Sequence, residues 1–151
     1  MDRNYVGFFE ALVRYETDLW NALDAFLRAD HGLTLAHLEA LRVVNRRNGA
    51  CRVQDVANDL SITVGAASKL VDRLENTRLA TRRSHPDDRR SSLINLTARG
   101  RTMHDNGIQS LERHLQAYLS ASFAPEEITM ITKRLIAARG HVRAFRREAS
   151  E

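Results

Sequence analysis

Residues 84–100 read "SHPDDRRSSLINLTARG". Pro86 is followed by two adjacent acids, Asp87 and Asp88, and two adjacent arginines, Arg89 and Arg90; the chain then turns apolar at Leu93, Ile94 and Leu96. Proline, aspartate and clustered charge mark a solvated turn, and an apolar run of strand length follows it. The stretch predicts a β-hairpin with a charged tip and a return strand anchored on a core.

The charge on this hairpin exceeds what solubility needs. Residues 78–101 hold seven arginines against two acids. Arginines so close together repel one another unless an anionic partner neutralises them, as DNA phosphates do with release of counterions. An arginine on a narrow tip also suits a minor groove, whose negative potential deepens as it narrows. Arg82, Arg83, Arg89 and Arg90 are therefore candidate contacts. Asp88 is a candidate orienting partner, since a bidentate carboxylate would hold one guanidinium in place before DNA arrives.

Just upstream, "LSITVGAASKLVDRLENTRL", residues 60–79, reads as a tight turn and a helix with Thr63 at its N-cap. A short helix over Val53–Asn58 precedes it. Helical spacing puts Val64, Ala67, Leu70, Val71 and Leu74 on the core face, and Gly65, Ala66, Ser68, Lys69, Asp72 and Arg73 opposite. That opposite face starts small and polar, with cations behind. A helix entering a major groove about 12 Å wide needs this arrangement. Small side chains permit close approach, while Thr63, Ser68 and Lys69 can donate to bases or phosphates. An ordinary exposed amphipathic helix would share the spacing, so the helix gains weight from the hairpin beside it.

The remaining chain reads as helices. Apolar residues from Tyr5 to Ala29 (Phe8, Phe9, Leu12, Val13, Leu19, Trp20, Leu23, Phe26, Leu27) keep helical spacing up to Gly32. Thr34 caps a second helix with Leu35, Leu38, Leu41, Val43 and Val44 inward, ended by "RRNGA". Thr97 opens a long helix to about Ala121 with Met103, Ile108, Leu111, Leu115 and Leu119 as its stripe; Gly100 and Gly107 weaken it. Pro125 starts the last helix, with Glu126 and Glu127 in its first turn and Ile128, Ile131, Leu135, Val142 and Phe145 as its stripe.

Composition sets the class. The 151 residues are 43% hydrophobic and 28% charged, with two prolines and one cysteine, Cys51. Such a chain forms one ordinary globular domain without a disulfide framework. No leader is legible in the acid-interrupted N-terminus and no apolar run could span a bilayer, so a cytoplasmic protein is expected. The net charge of +4 is unevenly spread: −4 over residues 1–40, +7 over 41–101 and +1 over 102–151. Abundant arginine explains the choice of cation; it does not explain the segregation, which points to an anionic partner.

Together these residues resemble the MarR family of bacterial winged helix-turn-helix transcription regulators. The resemblance rests on "LVDRLENTRLATRRSHPDDRRSSLINLTARG", residues 70–100. Asp88 and Arg90 fall on the family's D-x-R wing tip, and Leu96, Thr97 and Gly100 on its L-T-x-x-G. It implies a mainly α fold with a small β wing, a winged helix-turn-helix lobe over residues 34–98, a linking helix over 97–121, and dimerisation helices in 1–33 and 122–151. It also implies a homodimer on a near-palindromic double-stranded operator, with recognition helices in major grooves about 34 Å apart and wings in flanking minor grooves. The chain departs from the pattern at Arg78, where relatives carry glycine. If that position needs positive φ, arginine costs about 1 kcal/mol there, unless Asn76 or Thr77 shifts the turn.

Many relatives release DNA on binding a small molecule, often an aromatic acid. Arg14, Trp20, His31 and His37 offer aromatic and cationic contacts for one; a packed aromatic, two surface histidines and a solvated arginine are the plainer reading. Cys51 lies far from the position of oxidant-sensing cysteines and reads as a small buried apolar residue. The six histidines lack metal-ligand spacing, and no phosphate loop or nucleophile–base set stands out, so neither cofactor nor enzyme chemistry is expected. The competing function is a non-specific architectural DNA binder.

Overall fold

The structure is a computed structural model and describes residues 4–85 and 92–149; the expectations for Asp88, Arg89 and Arg90 lie outside them. The order is α1 (Tyr5–His31), α2 (Leu35–Arg46), α3 (Val53–Leu60), α4 (Val64–Asn76), β1 (Ala80–Ser84), β2 (Ser92–Leu96), α5 (Ala98–Ser120) and α6 (Pro125–Glu148). This is the expected mainly helical fold with a small β wing. Among the described residues, no helix is long and apolar enough to cross a membrane.

The chain divides into two compact units, residues 1–111 and 112–151. The core of the first gathers Leu27, Leu38, Leu41, Val43, Val44, Val56, Val71, Leu74 and Ile94, all but sealed from solvent. Capping fixes the helix ends. Asn4 accepts from the Gly7 amide at 2.7 Å, Thr34 from His37 at 3.0 Å and Thr63 from Ala66 at 3.1 Å. Gly32 closes α1 in the left-handed conformation, φ 62°. Between α3 and α4 the turn is made by Ser61, also left-handed at φ 56°.

The hairpin is antiparallel, pairing Ala80 with Leu96 and Arg82 with Ile94. Alternation places Ala80, Arg82, Ile94 and Leu96 on one face. Ile94 is 0% exposed, while Leu93 and Leu96 are only half-buried, so one residue carries most of the anchoring. A third strand, reduced to one residue, was not legible: the Ile94 amide donates to the Cys51 carbonyl at 2.8 Å. Cys51 is buried there, and burial pushes its thiol up to about 11, as suits a packing residue rather than a reactive one.

The L-T-x-x-G stretch acts as a joint. Thr97 Oγ1 accepts from the Gly100 amide at 2.9 Å and donates to the Arg78 carbonyl at 2.8 Å, and the Thr97 amide donates to the Leu79 carbonyl at 3.1 Å. A Cβ on Gly100 would strike the Leu79 carbonyl, and one on Gly107 would meet Leu38 at 2.8 Å. The glycines expected to weaken α5 are therefore its contact points, buried with Ser110 and Leu111. Its expected stripe is otherwise half-buried at Met103 and Ile108.

Arg78 itself takes positive φ, 59°, so neither Asn76 nor Thr77 shifts the turn. The strain is borne by an exposed arginine.

The outer helices are bare. In α1 only Leu23 and Leu27 are buried; Phe8 is 66% exposed, and Tyr5, Val6, Phe9, Leu12 and Val13 are exposed with it. The unit over 112–151 buries no residue of α6, where Leu135, Ile136, Val142 and Phe145, the last 71% exposed, face solvent.

Two substitutions test these features. Arg78→Gly is expected to stabilise the protein by about 1 kcal/mol, read as a higher urea midpoint at unchanged slope. Gly100→Ala should cost about 1–3 kcal/mol by overpacking the Leu79 carbonyl, read in the same titration.

Candidate nucleic-acid interface

Helix α4 seats itself through Ala67, Leu70, Val71 and Leu74, as its spacing required. Val64 departs from the expectation. It is 48% exposed, because the first turn of α4 projects beyond the core, and Ile62 just before it is exposed too. The projecting end carries Ile62, Thr63, Val64, Gly65 and Ala66, all exposed. Nothing lies within 4 Å of where a Gly65 Cβ would be, so this end is slim and open. Lys69 and Arg73 follow on the exposed side, with Ser68 half-buried beside them.

Asp72 does not belong to that open face. It is drawn toward the wing by Arg82, whose guanidinium lies 2.7 Å from Asp72 Oδ1 and 3.4 Å from Glu75 Oε2. The same side chain donates to the Ser68 carbonyl at 3.4 Å, and the Arg82 amide donates to Glu75 Oε1 at 3.0 Å. Arg82, expected among the DNA contacts, is here turned inward onto α4. Strand parity is the reason: residue 82 shares the body-facing side with Ala80 and pairs with buried Ile94, whereas Arg83 faces outward and is exposed.

The basic segment sorts into committed and uncommitted cations. Arg46 and Arg47 pair with Asp59 at 3.5 and 3.2 Å, Arg47 also with Asp55, and Arg101 donates to the Leu96 carbonyl at 2.8 Å. Arg52 meets His85 Nε2 at 2.8 Å, joining the start of α3 to the base of the wing. Among the described residues, Lys69, Arg73 and Arg83 enter no ion pair. Lys69 follows the slim end of α4, Arg73 lies in the last turn of that helix and Arg83 stands on β1; Arg78 and Arg99 likewise enter no ion pair among the described residues.

The candidate effector residues are not gathered. Trp20 lines a shallow concavity with Glu16, Thr17 and Asn21, and neither Arg14, His31 nor His37 lines it. The histidines are not surface groups either. His31 Nε2 lies 2.8 Å from the buried Ser110 hydroxyl, tying the end of α1 to α5. His37 is half-buried, its Nε2 sealed without a hydrogen bond. Burial, then the cations Arg73 and Arg28, hold its pKa below the ordinary histidine value, against the opposing pull of Asp24. Asp24 itself links α1 to α2: burial opposes its charge, but hydrogen bonds from Arg28 at 2.6 Å and from the Leu35 amide at 2.8 Å prevail and keep it ionised below the usual range.

Comparison with known proteins agrees with this geometry. The MarR family signature matches residues 31–91. No curated protein matches the chain in sequence. Among solved structures, AbsC, a MarR family transcriptional regulator from Streptomyces coelicolor, superposes with TM-score 0.83 at 22% identity, over 95% of this chain and 97% of its own. A cysteine-to-serine mutant of MarR from E. coli complexed with operator DNA gives 0.79 at 20% identity, over 91% and 99%. CouR from Rhodococcus jostii RHA1 bound to p-coumaroyl-CoA gives 0.75 at 23%, over 87% and 90%.

His37 generates a pH prediction. Its folded pKa lies below the unfolded value of about 6.5, so the unfolded chain takes up the proton first. The neutral ring's contribution is complete above that pH and is lost as pH falls below it. His37→Gln is expected to flatten the decline in melting temperature between about pH 7 and pH 5; an equally steep decline in the variant would assign it to other groups.

Proposed function

We propose that this chain, whose residues 31–91 match the MarR family signature, is a sequence-specific DNA-binding transcription regulator. The observation that carries the reading is the open end of α4, small and exposed over residues 62–66, with Lys69 and Arg73 farther along the same helix and Arg83 on β1, none of them in an ion pair among the described residues. Thr63, Gly65, Ala66, Ser68 and Lys69 enter the major groove, where the exposed methyls of Ile62 and Val64 suit thymine. Arg73 and Arg83 meet phosphates. The wing tip, Asp88, Arg89 and Arg90, reaches the minor groove beside it.

Function requires two copies. The apolar residues left bare on α1 and on α6 exceed what a monomer leaves open, and residues 1–33 and 122–151 pair with those of a second chain. The lobe over 34–98 is then presented twice, with the helix over 97–121 linking it to the dimer helices, on a near-palindromic operator. The direction of control that fits a protein occupying such a site is repression of nearby genes. A small molecule such as an aromatic acid releases the DNA; CouR, a chain of the same fold, is bound to p-coumaroyl-CoA, the coenzyme A thioester of such an acid. In this reading DNA is the partner and the chain acts by binding, without an enzymatic step.

Selection of bound duplexes from random DNA tests the proposal. The expected product is an inverted repeat with half-site centres one helical turn, about 10 bp, apart. Equal retention of every sequence would replace it with the architectural reading. On the selected duplex, Arg73→Ala should weaken binding and lower the log–log salt slope by about 1, as loss of one phosphate contact requires.

A further inference from the structure

Arginine is the residue expected to touch phosphate on a DNA-binding wing, yet Arg82 is spent inside the lobe. One guanidinium gathers Asp72 Oδ1 at 2.7 Å, Glu75 Oε2 at 3.4 Å and the Ser68 carbonyl at 3.4 Å. These acceptors lie at i, i+4 and i+7 on α4, so a single side chain grips two turns of one helix flank. The backbone takes part as well, since the Arg82 amide donates to Glu75 Oε1 at 3.0 Å. Glu75 therefore takes a hydrogen bond from the residue 82 amide and an ion pair from its Nε, which makes no hydrogen bond among the described residues. Opposite Arg82 in the ladder stands Ile94, fully buried and itself bonded to Cys51, so the strand side of the grip is anchored in the core.

Two things follow from this geometry. A planar fork anchored on a helix flank resists rotation of the strand against the helix in a way a single hydrophobic contact cannot. The grip also neutralises Asp72 and Glu75, two carboxylates on the helix that bears Lys69 and Arg73. Left bare, they would repel the phosphates those cations attract.

We propose that Arg82 is a positioning residue for DNA recognition, locking β1 to the flank of α4 through Asp72 and Glu75 so that wing and recognition helix engage one duplex as a rigid pair. This rests on the DNA-binding function proposed above. Wing and helix are two attachments to one ligand, and the fixed angle between them raises the effective concentration of the second once the first has docked. Arg82 contributes to affinity without touching DNA.

The test compares Arg82→Met, Asp72→Asn and Arg83→Ala on the duplex recovered by selection, at several salt concentrations, together with amide exchange of the free proteins. Arg82→Met should lose roughly tenfold or more in affinity at an unchanged salt slope, with faster exchange at Thr81–Ser84. Arg83→Ala, by contrast, should lower the slope by about 1, as a phosphate contact does. Asp72→Asn is the decisive companion, and it remains informative if Arg82→Met does not fold. Removing an acid near DNA ordinarily tightens binding; loss of the grip weakens it. Tighter binding by Asp72→Asn, unchanged affinity in Arg82→Met, or a slope lowered in Arg82→Met as in Arg83→Ala would each overturn the proposal. Should the intact chain select no sequence, the DNA-binding function fails, and exchange at Thr81–Ser84 alone decides whether the grip holds the strand.

Discussion

The face of the hairpin formed by Ala80, Arg82, Ile94 and Leu96 sets the position of everything around it. Ile94 is sealed in the core and bonded to Cys51, Ala80 is buried beside Leu79, and Arg82 reaches sideways to α4. Because strand residues alternate, fixing this face also fixes its reverse, and Arg83 is turned outward as a consequence of Ile94 turning inward. At the end of the return strand Thr97 and Gly100 close the joint: the missing Cβ lets the first turn of α5 rest on the Leu79 carbonyl. The hairpin, α4 and the first turn of α5 are thereby held in one frame.

Electrostatics in this lobe is a matter of allocation rather than total. The segment over 41–101 carries +7, but most of its cations with acids in reach are already engaged. Arg46 and Arg47 bind Asp55 and Asp59; Arg82 binds Asp72 and Glu75. Exposed pairs of this kind contribute well under 1–2 kcal/mol each, so their importance lies in geometry and in cancelling field. Among the described residues of this segment, Lys69 and Arg73 on α4, Arg83 on β1, and Arg78 and Arg99 enter no ion pair.

Outside the lobe the same chain behaves oppositely. Most of α1 and most of α6 present large apolar side chains to water, although each is a well-formed helix. Capping by Asn4 and Pro125, with Glu127 accepting from the Ala124 amide at 2.9 Å, makes the helices locally sound. Burial of their faces needs another surface, and that is why the function proposed here involves a second copy.

Much of this was legible in the chain. Periodicity located every helix, Thr34 and Thr63 declared their caps, Gly32 its stop, and the apolar run at Leu93–Leu96 its strand; these are local signals, set by neighbours within one or two turns. Helical spacing also separated the buried flank of α4 from its small, open one. Three features were out of reach because each depends on what packs from elsewhere. Val64 fits the core stripe by angle but stands beyond the end of the core. Gly100 and Gly107 look like weak points in a helix and are the places where Leu79 and Leu38 come closest. Arg82 and Arg83 are adjacent, alike and equally basic. Which of them serves the fold and which faces the solvent was decided by the register of a strand against Ile94 and by two carboxylates on a helix seven and ten residues away.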